Sequence, residues 1–388
     1  MTMLTALLAL AIDTSSFSLG VTGDVNLNSQ LHGATTPPEF VWGDLIGLTQ
    51  AVGLMAIQHE GTLAEKRDPR PQTIQFEDPL NYTKTYAAAG IDFISIANNH
   101  QFDYGWQGLA ATLKTLSATG IAYGGVSSTA EAVRRPVVVP ARRGGNTVDV
   151  AFFTIVVDEC WRWPNGTLYL DGCTCGASAN PSKSPPYQCY AANGSLPAGL
   201  WYRFGITDEF IAEAASTVKA FKAAHPSTLV VCYLHVGPNF QWQPSAEREH
   251  LLRNISLGAD LVWGTSSHHI QRFEVFRGTP IIYGLGDFMF RHVVGVEDWC
   301  PIYARPCEAY RPDLSLVYVF DIAVDGSGRP SIVLDNVTAV GTKHDHNRTF
   351  VATATDDAEW IAAAFAKQSP GASLSQSAGP GRYRVVVQ

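Results

Sequence analysis

The chain has 388 residues, of which 46% are hydrophobic and 16% are charged, and its formal net charge is −8. This length and composition indicate a folded globular protein, with room for one large α/β domain or two medium ones. Lysine and arginine form no cluster beyond short pairs, which excludes the concentrated basic surface of a nucleic-acid groove.

Apolar runs rich in β-branched residues alternate with helical stretches along the chain, and this alternation predicts a layered α/β fold. Residues 1–15 precede the first strand and are interpreted as a lead-in or a signal-peptide remnant. The predicted strands are 17–22, 54–57, 91–97, 136–139, 148–157, 228–234, 260–263, 271–276, 279–283, 315–324 and 331–337. The predicted helices are 82–89, 106–119, 207–224 and 245–257. Residues 341–388 form a polar, then Gly/Ser/Pro-rich extension that is expected to run along the surface.

The cysteines fall into two polar, turn-rich stretches and one apolar run. The candidates for disulfides are Cys160, Cys173, Cys175, Cys189, Cys300 and Cys307, whereas Cys232 is expected to be a buried thiol. A zinc site is the alternative, although Cys173 and Cys175 are spaced too closely for a C-x₂-C knuckle. Segment 158–202 has no periodicity and is predicted to be a disulfide-rich insertion over the core.

Six N-x-S/T sequons occur, where about two are expected by chance. They lie at Asn81, Asn165, Asn193, Asn254, Asn336 and Asn347. Together with the cysteines they predict a secreted or extracytoplasmic glycoprotein. No apolar run approaches the roughly 20 residues of a membrane helix, so no transmembrane segment is expected.

Polar residues follow several predicted strands directly. These places are Gly23-Asp24-Val25-Asn26, Gln58-His59-Glu60, Asn98-Asn99-His100 with Asp103, His235-Val236-Gly237 and residues 264–269. Each one alone is explained by a turn or a structural histidine. Because strand ends of α/β sheets bring loop residues into one crevice, the set together predicts a site. Its carboxylates, amides and imidazoles are ligands for Mn²⁺, Fe, Zn²⁺ or Mg²⁺.

The order of these motifs, followed by Gln271, Glu274 and Gly286-Asp287-Phe288, resembles the capsule-synthesis CapA/PgsA proteins of the calcineurin-like metallophosphoesterase superfamily. The resemblance covers roughly residues 19–324, and its most specific part is Asn98-Asn99-His100-x-x-Asp103-x-Gly105. It implies a four-layer α/β/β/α sandwich over residues 16–340, with a metal centre of one or two ions at the strand ends.

The resemblance also implies roles for single residues. The implied metal ligands are Asp24, Glu60, Asn99, His235 and His268, with Glu60 in the bridging place. His100 would be the catalytic acid or base, and Asp103 would orient it.

Four further residues are candidates for substrate contacts: Asn26, Asn239, Ser266 and Arg272. Arg272 suits a carboxylate substrate, and a surface salt bridge is its alternative. At Asn26, Asn239, Thr265 and Ser266 the sequence departs from the family pattern, which predicts a leaner ligand set. His269 is not expected to replace His268, because neighbouring residues of a strand point to opposite faces.

The function expected from the resemblance is a metal-dependent enzyme acting on an anionic polymer, peptide or phosphoester, in the context of poly-γ-glutamate and capsule. Its chemistry would be hydrolytic or acid/base. A peptide epimerase or racemase is one alternative, since a metal that polarises a carbonyl acidifies the adjacent C–H bond. A non-catalytic secreted protein that binds an anionic glycan or peptide is the other. The oligomeric state stays open.

Overall fold

A computed structural model describes residues 17–27, 37–63, 77–78, 83–101, 105–127, 130–143, 145–158, 202–204, 206–237, 239–290, 307–345, 348–377 and 379–388. Within these ranges, no helix combines the length and the apolar character needed to cross a membrane.

The strands and helices are numbered in chain order. The strands are β1 (Phe17–Asn26), β2 (Leu54–His59), β3 (Thr62–Leu63), β4 (Glu77–Asp78), β5 (Phe93–Ser95), β6 (Ala122–Gly124), β7 (Val137–Arg143), β8 (Asn146–Asp158), β9 (Tyr202–Phe204), β10 (Leu229–Val236), β11 (Leu261–Thr265), β12 (Phe273–Phe276), β13 (Thr279–Ile282), β14 (Asp287–Phe290), β15 (Leu314–Val324), β16 (Pro330–His344), β17 (Thr349–Val351), β18 (Ala372–Gln376) and β19 (Arg382–Val387). The helices are α1 (Ile46–Ala51), α2 (Thr83–Ala88), α3 (Gly105–Thr119), α4 (Ala130–Val133), α5 (Asp208–Ala224), α6 (Ala246–Ser256) and α7 (Thr355–Gln368). Residues Pro38–Leu45 and Cys307–Tyr310 form 3₁₀ helices.

The first sheet has the order β18-β19-β16-β15-β1-β2-β5-β6. Strand β14 also pairs with β1, and β17 pairs with β16. Strands β1, β2, β5 and β6 are mutually parallel, whereas β15 runs antiparallel to β1. Several strands therefore end at the same edge as β1, which is the geometry that gathers polar residues into a site.

The second sheet has the order β12-β13-β11-β10-β8-β7, with β9 beside β8. Its strands β8, β10, β11 and β13 are mutually parallel. The two sheets face each other through one apolar cluster, in which Phe93 of the first stacks on Phe152 of the second at 4.0 Å between ring centroids. The two-sheet α/β architecture expected from the sequence is confirmed.

Helices cover the outer surface of each sheet. Tyr86 of α2 and Leu116 of α3 pack with Ile57 of the first sheet. Phe210 of α5 and Leu251 of α6 pack against outward-facing apolar residues of the second sheet. Helices α5 and α6 both begin at side-chain caps, because the hydroxyls of Thr207 and Ser245 accept from backbone N–H groups of the first turn.

Residues 341–388 were expected to run along the surface as an extension, but part of this stretch joins the first sheet. Strand β16 continues to His344, and α7, β18 and β19 follow, with β19 paired to β16. The signal was present in the alternation of Arg382–Val387, where Tyr383 and Val385 are buried, and in the apolar stripe of Ile361 and Phe365 on α7. Gly and Ser in the connections obscured both patterns.

Several expectations concern residues outside the described ranges. These are the lead-in 1–15, Asp103, most of segment 158–202, and Cys160, Cys173, Cys175, Cys189 and Cys300. Cys232 lies within β10 as a fully buried free thiol, whose pKa is raised by burial.

Candidate metal centre

A cluster of buried carboxylates and imidazoles lies where the parallel strands of both sheets end. Asp24 comes from β1, Glu60 follows β2, His235 lies near the end of β10, and His268 follows β11. Each of these residues is at most 4% exposed. Charged groups are rarely buried to this extent unless they are paired or bind a metal.

Asp24 reaches this cluster through the alternation of β1. Leu19 and Val21 face the second sheet, and after a register shift between Val21 and Asp24 the Asp24 side chain points the same way. Its Oδ2 atom accepts a hydrogen bond from the backbone N–H of Ser266 at 2.9 Å. Burial, followed by the charge of Asp287, raises the pKa of Asp24 to about 6, although His268 opposes this change.

The turn after β11 adopts an unusual backbone that supplies two of the contacts. Ser266 has φ 83° and His268 has φ 57°, a left-handed region that residues other than glycine rarely occupy. This conformation directs the Ser266 N–H to Asp24 and brings the His268 ring to Asp287. The backbone strain of these two residues is typical of a functional turn, because dihedral outliers concentrate at active sites and ligand-binding sites.

A first group of possible ligand atoms comes from Asp24, His268 and Asp287, and these atoms lie within 4.8 Å of one another. Asp287 opens β14 and is paired in register with Asp24. His268 Nδ1 lies 2.9 Å from Asp287 Oδ1. Burial would lower the pKa of His268, but the carboxylates of Asp287 and Asp24 outweigh it and raise that pKa.

A second group of possible ligand atoms comes from Asp24, Glu60 and His235, again within 4.8 Å of one another. His235 Nε2 is 3.8 Å from Glu60 Oε1, and His235 Nδ1 is 3.9 Å from Asp24 Oδ1. Asn99 Oδ1 lies 2.9 Å from His235 Nε2, which adds an amide oxygen to this group. Asp24 thus belongs to both groups.

The second ring nitrogen of His235, Nδ1, lies close to two hydroxyl groups. This atom lies 3.2 Å from both Tyr233 Oη and Thr265 Oγ1, and these two hydroxyls are 2.8 Å apart. Burial, followed by His268 and His100, holds the pKa of His235 well below its ordinary value. A neutral imidazole whose second nitrogen has a hydrogen-bond partner is the form that binds metals.

The donor set fits a divalent cation. Three carboxylates and two imidazoles converge in a buried volume, and hard divalent ions prefer such oxygen and nitrogen donors. Asp287 Oδ2 and Asn26 Oδ1 are buried, and no described residue donates a hydrogen bond to either atom. An ion at the first group would satisfy a carboxylate oxygen that the described protein atoms leave without a partner.

The predicted ligands are brought together, and His100 lies beside them. The His100 Nε2 atom is 3.8 Å from Glu60 Oε1, and the His100 side chain is 8% exposed. Its backbone is held in place because Asn98 Oδ1 accepts from the His100 N–H and Thr62 donates to the His100 carbonyl.

The predicted substrate contacts divide into two kinds. Ser266 and Asn239 lie together at the centre, where Ser266 Oγ donates to Asn239 Oδ1 at 3.4 Å. Asn26 is fully buried and donates to the Glu60 carbonyl at 2.8 Å. Arg272 instead forms ion pairs with two glutamates that do not belong to the centre, which matches its salt-bridge alternative.

Two further observations refine the site. His269 turns away from the centre: its ring stacks on Tyr310 at 4.7 Å, and its Nδ1 atom lies 3.0 Å from the Ile270 carbonyl. Asp287 was absent from the predicted ligands although its motif was recognised. The available signal was a carboxylate directly after Gly286, at the start of an apolar run.

The fold and the centre together define an α/β protein of two facing sheets with a candidate divalent-metal site at the strand ends. A family model described as bacterial capsule synthesis protein PGA_cap matches residues 18–292. The chain belongs to this family.

Three relatives illustrate the similarity. A probable polyglutamine synthesis accessory protein of Mycobacterium tuberculosis is 28% identical over 309 residues, which cover 77% of this chain and 70% of the relative. The capsule biosynthesis protein CapA of Bacillus anthracis is 27% identical over 208 residues, covering 53% of this chain and 42% of the relative. The PGA biosynthesis protein CapA of Bacillus subtilis is 24% identical over 235 residues, covering 55% and 52%.

Proposed function

We propose that this protein is a metal-dependent enzyme of the capsule-synthesis family that acts on an anionic polymer or peptide of the poly-γ-glutamate type. The observation that supports the proposal best is the pair of ligand groups that share Asp24, with His100 beside them. The printed names of the relatives, which refer to capsule, PGA and polyglutamine synthesis, support the polymer context.

In this proposal the protein holds up to two divalent ions, of Mn, Fe, Zn or Mg. Asp24, Asp287 and His268 would hold one, and Asp24, Glu60 and His235 the other, with Asn99 adjacent. Bound divalent ions polarise a substrate oxygen and offset its negative charge. This chemistry suits the centre, because its three buried carboxylates alone would repel an anion.

His100 is the group proposed to move a proton. Of the two histidines beside Glu60 it is the more exposed, with 8% of its side chain accessible against 3% for His235, and hydrogen bonds hold its backbone in place. A positioned imidazole contributes general acid or base catalysis. Asp103, which follows in the same motif, is proposed to orient it.

Metal analysis and two variants test the proposal. Purification without chelator should yield bound transition metal, whereas a content that stays below about half an equivalent after soaking would contradict it. His100→Ala should keep the metal content of the parent and lose activity, whereas His235→Ala should lose metal. If both variants bind metal like the parent, the roles are wrong.

The reaction is tested with a γ-glutamyl peptide and a phosphodiester, each incubated with metal in deuterated water. Cleavage supports the proposed hydrolysis. Deuterium uptake at Cα without cleavage supports the epimerase alternative, in which His100 removes a proton next to a polarised carbonyl. Binding of the peptide with neither outcome supports the non-catalytic alternative.

The four-layer metallophosphoesterase-like arrangement, the secretory route and the disulfides of segment 158–202 belong to the same proposal. The sequons and the clustered cysteines support the last two. Mass spectrometry of protein secreted by a eukaryotic host, with and without glycosidase and reductant, tests both.

A further inference from the structure

Arg248 is a fully buried arginine in the first turn of α6, and its guanidinium contacts the ends of two strands of the second sheet. Its Nη2 atom donates to the backbone carbonyl of Thr265 at 3.4 Å and to that of Tyr283. Its Nη1 atom donates to Gln271 Oε1 at 2.9 Å. Burying a charged group disfavours the folded state, and an apolar residue of similar size is often as stable in such a place. A guanidinium here is therefore better explained by the groups that it holds than by stability alone.

The two carbonyls belong to segments that lead into the candidate metal centre. The last residue pair between β11 and β13 is Trp263 with Ile282. The carbonyls of Thr265 and Tyr283 lie beyond this pair, and Arg248 bridges them with a single nitrogen atom. From the first carbonyl the chain enters the left-handed turn after β11, and from the second it enters the segment that leads into β14. The guanidinium thus joins two segments that supply candidate ligands.

A third segment, the loop between β10 and α6, is reached through Gln271. The Gln271 side chain accepts from the guanidinium, and its Nε2 atom donates to the Gln241 carbonyl. This loop is attached to the turn after β11, because the Phe240 N–H donates to the Ser267 carbonyl at 3.1 Å and the Phe240 ring stacks on His268 at 5.6 Å between ring centroids. Three segments around the centre therefore meet at one buried guanidinium.

We infer that Arg248 is a positioning residue of the candidate metal centre, which fixes the turn after β11, the segment before β14 and the loop 239–243 relative to one another. The planar fork of arginine donates to several oxygen atoms in fixed directions, whereas lysine is a single point charge on a flexible stem. This inference rests on the proposed function where it concerns bound ions, whereas the contacts of Arg248 are independent of that function.

Three variants test the inference: Arg248→Lys, Gln271→Glu and the control Arg253→Lys. Lysine at position 248 keeps the positive charge and loses the fork, so its effect reports the arrangement of the segments rather than the loss of a charge near the ions. Gln271→Glu keeps an oxygen that accepts from Arg248 but loses the N–H groups that hold the Gln241 carbonyl. The control residue lies on the same helix, but its guanidinium pairs with Glu274 near the surface.

Two measurements are made on each protein. Amide hydrogen exchange of the chelator-treated protein, followed by mass spectrometry, reports the order of residues 239–243 and 264–268, and calorimetric titration with MnCl₂ gives the Kd. Arg248→Lys should raise exchange in both segments at least about fivefold, the effect of losing one hydrogen bond. It should also weaken Mn²⁺ binding about 10–100-fold, as changes to groups that orient metal ligands do. Gln271→Glu should raise exchange in 239–243 alone and keep the Kd within about threefold, and Arg253→Lys should match the parent in both measurements.

Urea unfolding of the same samples separates positioning from stability, because a residue that only stabilised the fold would leave the Kd of the folded fraction at the parent value. Parent-like exchange or a parent-like Kd in Arg248→Lys would overturn the inference and leave the proposed function standing. If Arg248→Lys does not fold, Gln271→Glu decides, and parent-like exchange in 239–243 would then overturn the inference. A parent that binds no Mn²⁺ would contradict both the inference and the proposed function.

Discussion

Replacing Asp24 with Asn is expected to stabilise the metal-free protein at neutral pH, although it removes a central residue of the site. The Asp24 side chain is buried and lies in register with Asp287, and these two facts raise its pKa from an ordinary value of 3.8 to about 6. Asparagine has the same shape and retains an oxygen that accepts from the Ser266 N–H. The variant thus removes a buried negative charge and keeps the hydrogen bond.

The magnitude follows from linkage between protonation and folding. A carboxyl whose pKa is raised in the folded state contributes stability below its unfolded pKa and loses that contribution as pH rises through the folded pKa. A rise from 3.8 to about 6 corresponds to about 3 kcal/mol at pH 7.5 and about half of that at pH 5. The advantage of Asn over Asp in the metal-free protein should therefore shrink by about 1.4 kcal/mol between pH 7.5 and pH 5.

Urea unfolding in the presence of chelator, at pH 7.5 and pH 5, measures this difference. The order should reverse at saturating metal, since an ion at about 1,000 times its Kd stabilises the parent by about 4.1 kcal/mol, which exceeds the advantage of about 3 kcal/mol that Asn has without metal. An Asp24→Asn variant whose stability relative to the parent is independent of pH would refute the reasoning about buried charge. A variant that gains as much from Mn²⁺ as the parent would refute the role of Asp24 in binding.

Three further predictions concern other parts of the fold. Burial lowers the pKa of His59 from 6.5 to about 3, so this residue makes the protein less stable as the pH falls below 6.5. His59→Gln should therefore reduce the decrease in the free energy of unfolding between pH 7 and pH 5 by about 2 kcal/mol, measured by urea unfolding. Tyr233→Phe should weaken Mn²⁺ binding at least about tenfold by calorimetry, because the Tyr233 hydroxyl contacts His235 Nδ1, whereas Tyr318→Phe should not, because the Tyr318 hydroxyl bonds no described residue. Equal affinities of the two variants would contradict a role of Tyr233 in positioning His235. Gly23→Ala should lower the free energy of unfolding by about 3 kcal/mol or more, because the added Cβ atom collides with the Gly286 carbonyl oxygen. Gly47→Ala, which places its Cβ atom in open space, is the control in the same unfolding assay.

Much of the fold and of the site follows from local sequence pattern. Apolar alternation reveals β1 and β10, and the polar residues at their ends, Asp24 and His235, reach the site because parallel strands end at a common edge. The sequons and cysteines carry no such geometric consequence. Predictions built on them stay predictions.

The contribution of Asp287 could not be obtained in this way. Its strand β14 has four residues, all buried, so it shows no alternation that identifies a face. Its position depends on pairing with β1, and pairing between distant segments is set by packing rather than by local preference. The place of β18 and β19 at the edge of the first sheet depends on pairing in the same way, since β19 pairs with β16 and β18 with β19, although the alternation of β19 itself is visible in the sequence.

The centre combines segments that are far apart in the sequence, since Asp24 and Asp287 come together only once β14 has docked beside β1. Contacts so distant in sequence require the closure of a long loop, and topologies rich in them fold slowly. Partly folded chains therefore lack the complete ligand set. Uptake of the ion would mark the end of maturation, so that the amount of bound metal in a preparation reports the fraction of chains that have finished folding.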